Sequence, residues 1–405
     1  MLVRPRGIKE IYWIGAGALL LVVLRLIPLQ LAGKAIAAGA DVYLFLIGMM
    51  LLSELAREHG VFHWLSSAAV RGAHGSSARL FTLVYGIGTL VTIFMSNDAT
   101  AVVLTPAILT AVRKAKVQPL PHLFACAMIA NAASFVLPIS NPANLVVFHS
   151  GLPPLSRWLL SFAVPSIFSI AVTYLALRLV FREELQHSIE ENVAPQTLGL
   201  HGKMILGGLA LTIGVLLTAS SLKMDLGLPT CLAALVITAA VSIQSRSNPL
   251  QLAKHISWST LLLVAGLFIM VAAVQSIGAL SPMQAALHWV QRLAPAAGAL
   301  VTGMAVGIAN NVVNNLPLGL LAGATLQAAH ARGWVAEAVL IGVDLGPNLS
   351  VTGSLATILW LIALRKEKLA VSFLDFLKVG AIAMPSALLA SIGAAILMQM
   401  VCKNP

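Results

Sequence analysis

Apolar runs of about 20 residues recur along the whole chain, at 11–30, 42–56, 158–181, 204–219, 229–243, 257–275 and 379–399. Such runs can cross a bilayer core of roughly 30 Å. Inside hydrocarbon a segment must satisfy its own backbone, which leaves helices or closed barrels. Barrel strands alternate apolar and polar residues over about ten positions, and these runs do not alternate. The sequence therefore predicts an all-α polytopic membrane protein. Only 10% of the 405 residues are charged, against roughly 25% in soluble domains. The net charge of +11 sits in short loops, where the positive-inside bias explains it. It forms no basic face with interleaved aromatics, so the expected surroundings are a lipid bilayer and no nucleic acid is implied.

Arg4, Arg6 and Lys9 precede the first run, which puts the N-terminus in the cytoplasm. No clear small-residue cleavage site follows, so the run reads as a retained helix. Helix 11–30 goes out and 41–57 returns. FHWLSSAAV (62–70) is amphipathic and suits the interface. Residues 79–112 follow, with Arg79 at one end and Arg113, Lys114 and Lys116 at the other. Positive charge at both ends predicts a re-entrant hairpin with its tip at Ser96–Asp98. Segment 121–150 crosses but breaks at PISNPAN (138–144), because Pro138 and Pro142 lack an amide proton. Helix 158–181 returns to a polar linker, 182–203, containing Glu183, Glu184, Glu190 and Glu191. Helices 204–219 and 229–243 form a pair, and 257–277 leads outward.

The order then repeats. SPMQAALHWVQRL (281–293) is a second amphipathic stretch. Residues 299–330 form a second hairpin with its polar tip at NNVVNN (310–315), and 335–363 is broken at GPNLSVTGS (346–354). Residues 371–400 complete the chain. The first hairpin enters from inside and the second from outside, an inverted repeat of the kind secondary transporters use. The expected organisation is an N-terminal helix (1–40), a first repeat (41–181), a linker with connecting helices (182–256) and a second repeat (257–405), with about nine or ten crossings and two hairpins.

Irregular backbone at membrane depth is tolerated only against protein or a water-filled cavity. The four interruptions should therefore face one polar pocket. Its candidate lining is Ser96, Asn97, Ser140, Asn141, Asn144, Asn314, Asn315, Asn348, Thr352 and Ser354. Each has a plainer reading, as a group that satisfies loose backbone. Most acids lie in loops or near helix ends, among them Glu54, Glu58, Glu337 and Asp375. Asp98 and Asp344 alone are deep. A central Asp costs roughly 2.5–3.5 kcal/mol and marks ion or proton pathways. Both are candidates for proton coupling, with helix capping as the structural alternative, above all for Asp98. His59 and His63 have i, i+4 spacing without an HExxH pattern and read as solvated. Cys126, Cys231 and Cys402 are far apart and fit no metal or disulfide spacing. There is no Walker A sequence, no proteolytic motif and no cofactor implied, so the chain reads as a transporter and not an enzyme.

At this point the residues resemble a family. GVDLGPNLSVTGSLATILWL (342–361) is similar to the arsenite permease family, the membrane component of arsenical resistance pumps. Asp344–Pro347, Gly353–Thr357 and Leu359–Trp360 carry the likeness. SNDATAVVLTP (96–106), NNLP (314–317) and EHGVFHW (58–64) resemble further motifs of the family. The resemblance implies the ion transporter superfamily fold, with two re-entrant hairpins and two broken helices. It also implies export of arsenite and antimonite across the inner membrane in exchange for protons, in some members with a soluble ATPase subunit. Val343 replaces a cysteine of the family pattern, so no thiol there is essential in this chain. Asn348 stands where a lysine also occurs, which leaves the pocket less positive.

Trivalent arsenic at neutral pH is mostly the uncharged trihydroxide. Amides, hydroxyls and backbone groups can bind it by hydrogen bonding, and moving it uphill requires a coupled ion. The competing expectations are a sodium/proton antiporter of the same superfamily and a membrane subunit of an ATP-driven pump. A dicarboxylate carrier fits less well, because no deep Lys or Arg is evident. A passive channel is disfavoured by the inverted repeat.

Overall fold

The computed structural model describes residues 10–149, 151–189, 196–246, 248, 251, 252, 254 and 256–403. Arg4, Arg6, Lys9, Glu190 and Glu191 lie outside the described residues. The chain opens with α1 (Glu10–Val23), α2 (Leu29–Ala38) and α3 (Ala40–Glu58). The single helix expected over 11–30 is two helices joined by a turn. Arg25 takes a left-handed φ of 54°, and Pro28, without an N–H to donate, is extended at the start of α2. α2 and α3 then meet at a 45° bend beside Gly39, where an added Cβ would lie 2.4 Å from the Tyr43 hydroxyl.

The first repeat continues with α4 (Val61–Gly72), α5 (Ser77–Phe94), a π-helical stretch (Ala99–Leu104) and α6 (Thr105–Lys114). α7 (Pro119–Ala132) and α8 (Pro142–Val147) are the halves of a broken helix, and α9 (Leu155–Val180) closes the repeat. α10 (Leu200–Ser221) and α11 (Gly227–Ser245) connect it to the second repeat. There α12 (Trp258–Ser276), α13 (Ser281–Gln291), α14 (Pro295–Val313), α15 (Asn315–Ala328), the broken pair α16 (Trp334–Leu345) and α17 (Leu355–Lys366), and α18 (Phe373–Lys403) follow in the same order. Among the described residues there is no strand, only an isolated antiparallel bridge between Ser76 and Ser188. Among the described residues seven helices are long and apolar enough to cross a membrane, or eight if α2 and α3 count as one bent span. Many of their large apolar side chains face outward, Leu211, Ile243 and Leu397 among them. In water such a surface would be an aggregation hazard; in lipid it is solvated.

The first hairpin turns back on itself. Thr92 and Thr100 share a hydrogen bond of 2.8 Å, and the Thr100 hydroxyl reaches the Gly88 carbonyl at 3.4 Å. The amphipathic α4 packs on both arms, α5 and α6; α13 does the same with α14 and α15. Each short helix thus covers the end at which its hairpin enters and leaves. Ion pairing and hydrogen bonds define two opposite faces. At the basic face, Arg113 in the last turn of α6 holds the Glu367 carboxylate (2.6 Å) and its carbonyl (2.7 Å) at the end of α17. At the opposite face, Glu337 accepts from Ser161 of α9 at 2.8 Å and from Gln399 of α18. α9 and α18 run antiparallel between the two faces and pack extensively on each other.

Candidate functional site

A helix broken inside a membrane protein releases carbonyl groups, and each buried one needs a donor. Here asparagines supply most of them. The Asn144 amide donates to Ser134 (2.9 Å), Leu137 (3.2 Å) and Pro138 (3.3 Å) in the break between α7 and α8. Trp158 Nε1 takes the Phe135 carbonyl at 3.1 Å. In the second repeat Asn310 donates to the Gly342 carbonyl (3.3 Å) and to that of Val343. Asn311 donates to Gly346 at 3.0 Å, and Asn314 to Thr352 at 3.3 Å. Asn314 itself lies at φ 81°, ψ 152°, a region that costs a side-chain-bearing residue of order 1–3 kcal/mol and concentrates at functional sites.

The second halves of both broken helices begin with a side-chain cap. Asn141 Oδ1 accepts from the Ala143 amide at 3.0 Å, and Ser354 Oγ from the Thr357 amide at 3.1 Å. Asn131 and Asp344 each stand ten residues before these caps, and each reaches across to the other repeat. Asn131 donates to Asn348 Oδ1 at 2.9 Å; Asp344 Oδ1 accepts from Asn141 at 2.8 Å. The inverted repeat is thus stitched by two related contacts.

Several asparagine amide oxygens are left without a donor. Asn97, Asn131, Asn144, Asn310 and Asn315 each have a buried Oδ1 without a hydrogen-bond partner, and so does Asp344 Oδ2. The interior of the two repeats is therefore rich in acceptors. Two of these oxygens sit at the hairpin tips. Asn97, Asp98, Asn141 and Asn315 line one small gap with Pro142, Thr260 and Leu355. From Asp98 and Ser96 a cavity of about 140 Å³ runs along α3, past Met50 and Ser53, to Glu54. A second small gap, lined by Asn314, Thr352 and Leu355, lies on the side of α15 and α12. Neither the cavity nor the gaps have a lysine or arginine among their lining residues.

The structure sorts the expected site residues. Ser96, Asn97, Asp98, Asn141, Asn314, Asn315 and Thr352 line the cavity or its gaps. Ser140, Asn144, Asn348 and Ser354 do not; they are buried and bonded within the breaks, Ser140 to the Ile93 carbonyl at 3.0 Å and Asn348 to that of Met128 at 3.0 Å. Asp98 makes no capping bond. Ser96 does that work, accepting from the Ala99 amide at 3.2 Å, which leaves the Asp98 carboxyl to the cavity. Asp344 is fully buried and lies behind Asn141, outside the cavity lining. Glu54, read in the sequence as a helix-end acid, faces the same cavity as Asp98. The α3 stripe of Leu46, Met49, Met50, Ser53 and Glu54 has the i, i+3, i+4 spacing that carries this signal. The histidine reading differs by residue. His63 is exposed, but His59 meets the His201 ring at 5.4 Å. Burial holds the His59 imidazole below its ordinary value, Glu58 partly opposing and His201 adding to the effect. Among the described residues no group of three or more His, Cys, Asp or Glu could hold a metal.

A family described as citrate transporter matches residues 9–344. The arsenical pump membrane protein of Yersinia enterocolitica is 26% identical over 351 residues, covering 83% of this chain and 81% of that protein. Its namesake in Escherichia coli K12 is 27% identical over 359 residues, with the same coverage. Among solved structures, the YdaH transporter of Alcanivorax borkumensis, whose crystal structure is described as revealing an unusual topology, matches with a TM-score of 0.57. It is 15% identical and the match covers 92% of this chain and 87% of that one, a likeness of fold.

Proposed function

The chain belongs to the citrate transporter family, and from that premise we propose that it is a secondary exporter of arsenite and antimonite. In this reading it exchanges them for protons by alternating access, in the inner membrane with the N-terminus and basic face in the cytoplasm. The observation that carries the substrate class is the imbalance of the cavity. The Asp98 carboxyl is an acceptor, Asn97 and Asn315 add amides whose Oδ1 lacks a partner, and no basic side chain lines the space. A tricarboxylate would bring further acceptors and negative charge, and burying such charge without a partner is strongly unfavourable. An uncharged trihydroxide brings three donors. No cysteine lines the cavity, and Cys126 and Cys231 are buried elsewhere, so hydrogen bonding and not thiol chelation suits this chain. The names of the relatives agree with arsenic as the cargo.

The same imbalance supports exchange. A deprotonated Asp98 accepts from a hydroxyl of the cargo. Protonation turns one of its acceptors into a donor and weakens that contact. Proton and cargo thus compete for one carboxyl, as an antiporter requires. Leu355, the first residue of α17, lines both the cavity and the gaps, so the N-terminus of that helix borders the same space as Asp98. The test is arsenite uptake into everted vesicles under an imposed pH gradient without ATP. Uptake is expected, and collapsing the gradient should abolish it. Absence of uptake together with sodium-dependent dissipation of the gradient would replace this reading with sodium/proton exchange.

A further inference from the structure

Glu54 is an acid with no role in the scheme above, and its setting is unusual. It lies one turn before the end of α3, on the stripe that lines the cavity leading to Asp98. Its side chain is only 12% exposed, while that of Arg57 is 49% exposed. Arg57 Nε donates to Glu54 Oε2 at 2.8 Å and Arg57 Nη2 to Oε1. The carboxylate therefore faces Asp98 through the cavity on one side and solvent at the basic face, past Arg57, on the other. Glu54 and Asp98 are the two acids lining this cavity, and no base lines it.

We propose that Glu54 is the second proton-carrying carboxyl of the exchanger, through which protons leave Asp98 for the basic face. The proposal rests on the proton-coupled reading and adds the route. The O–H bond of Asp98 breaks, a proton passes along water, and an O–H bond forms at Glu54, which releases it to solvent. The cavity of about 140 Å³, with Ser53, Ser96, Ser257 and Thr260 among its lining residues, has room for several waters. Arg57 offsets one of two negative charges that would otherwise repel across a space of low dielectric. Among the described residues, the elements packed on α3 carry few charged or titratable groups. α8, α11 and α12 carry no charged side chain, α2 carries Lys34, α4 carries His63 and Arg71, and α10 carries His201 and Lys203. None of these lines the cavity. Glu58 follows on α3 itself and also does not line it.

The test uses the full chain in proteoliposomes with two readouts: arsenite/arsenite counterflow at equal pH, and uptake driven by a pH gradient. Glu54→Gln is expected to keep counterflow within about twofold while driven uptake falls at least tenfold, since one acceptor oxygen and the Arg57 contact survive but proton transfer does not. Glu54→Ala with added formate, a weak acid small enough for the cavity, should recover driven uptake; a purely structural role would not respond to formate. Driven uptake by Glu54→Gln with the wild-type rate and pH profile would overturn the relay. Should Glu54→Gln fold poorly, Glu54→Asp decides in its place: a changed pH profile of driven uptake supports the relay and an unchanged one overturns it. Wild-type counterflow without any driven uptake would remove the proton-coupled reading itself, and the relay with it.

Discussion

Asn141 holds two contacts at once. Its oxygen caps α8 and its amide binds Asp344 of the other repeat, while the residue also lines the gap beside Asp98. That position separates two aspartates that look equivalent in the sequence. Asp98 opens onto the cavity, and Asp344 is sealed behind Asn141. We expect Asp98→Asn to reduce pH-driven arsenite uptake more than tenfold. Asp344→Asn, which keeps an acceptor for Asn141, should reduce it less than threefold, whereas Asp344→Ala should destabilise the protein by about 1–3 kcal/mol, the cost of leaving the buried Asn141 amide without its acceptor. Uptake assays and thermal unfolding in detergent check the three; equal loss in both Asn variants would make Asp344 a proton carrier as well. The depth of both acids was legible, because each interrupts an apolar run. Which one meets the cavity was not, since that depends on cross-repeat contacts between residues more than 200 positions apart in the chain. Glu54 was passed over for the opposite reason. Its place near a helix end made it look solvated, and only the packing around α3 turns it inward.

The breaks in α7–α8 and α16–α17 are elements in their own right, and other helices are shaped to fit them. Gly380 of α18 is the clearest case. An added Cβ would lie 2.4 Å from the carbonyl oxygens of both Asn348 and Leu349, so α18 can approach the second break only with no side chain there. Gly380→Ala should push the helix away, costing about 1–3 kcal/mol as overpacking does and lowering both transport modes together. Counterflow and thermal unfolding would show it, and a variant with wild-type values for both would mean the break yields at no cost. Proline, glycine and asparagine made both breaks legible, as did the two amphipathic helices beside the hairpins. The turn at 24–28 was not, because the apolar run 11–30 continues through it and only Pro28 marks the bend. Gly380 was equally silent: a glycine in an apolar helix declares a close approach only once the neighbour is known.

At the scale of the whole molecule, the cavity extends toward one face. It leaves Asp98 along α3 and reaches Glu54 near the end where Arg57, Arg113 and the α17 basic residues gather. The small gap beside Leu263 and Ile358 lies next to Asn314 of the second hairpin tip. A cysteine at Ser53 should therefore react with a membrane-impermeant thiol reagent at least tenfold faster from the basic face, and saturating arsenite should slow it. Comparing everted with right-side-out vesicles measures this, and faster labelling from the far side would reverse the orientation. The repeated order of elements was visible in the sequence, and with it the overall architecture. The direction of the cavity was not, because both repeats supply similar polar breaks and only the packing around α3 carries the cavity from Asp98 to Glu54.

The surplus of amide oxygens has a consequence for how tightly the cycle holds together. A carrier that returns empty and unprotonated must take Asn97 Oδ1, Asn315 Oδ1 and the Asp98 carboxylate through a closed state with no donor opposite them. Each such group costs about 1–3 kcal/mol, so the barrier against idle return rises with every one. In the proposed exchange, occupancy by cargo or by a proton would remove that penalty, and the unpaired oxygens proposed to select the cargo would also suppress slippage.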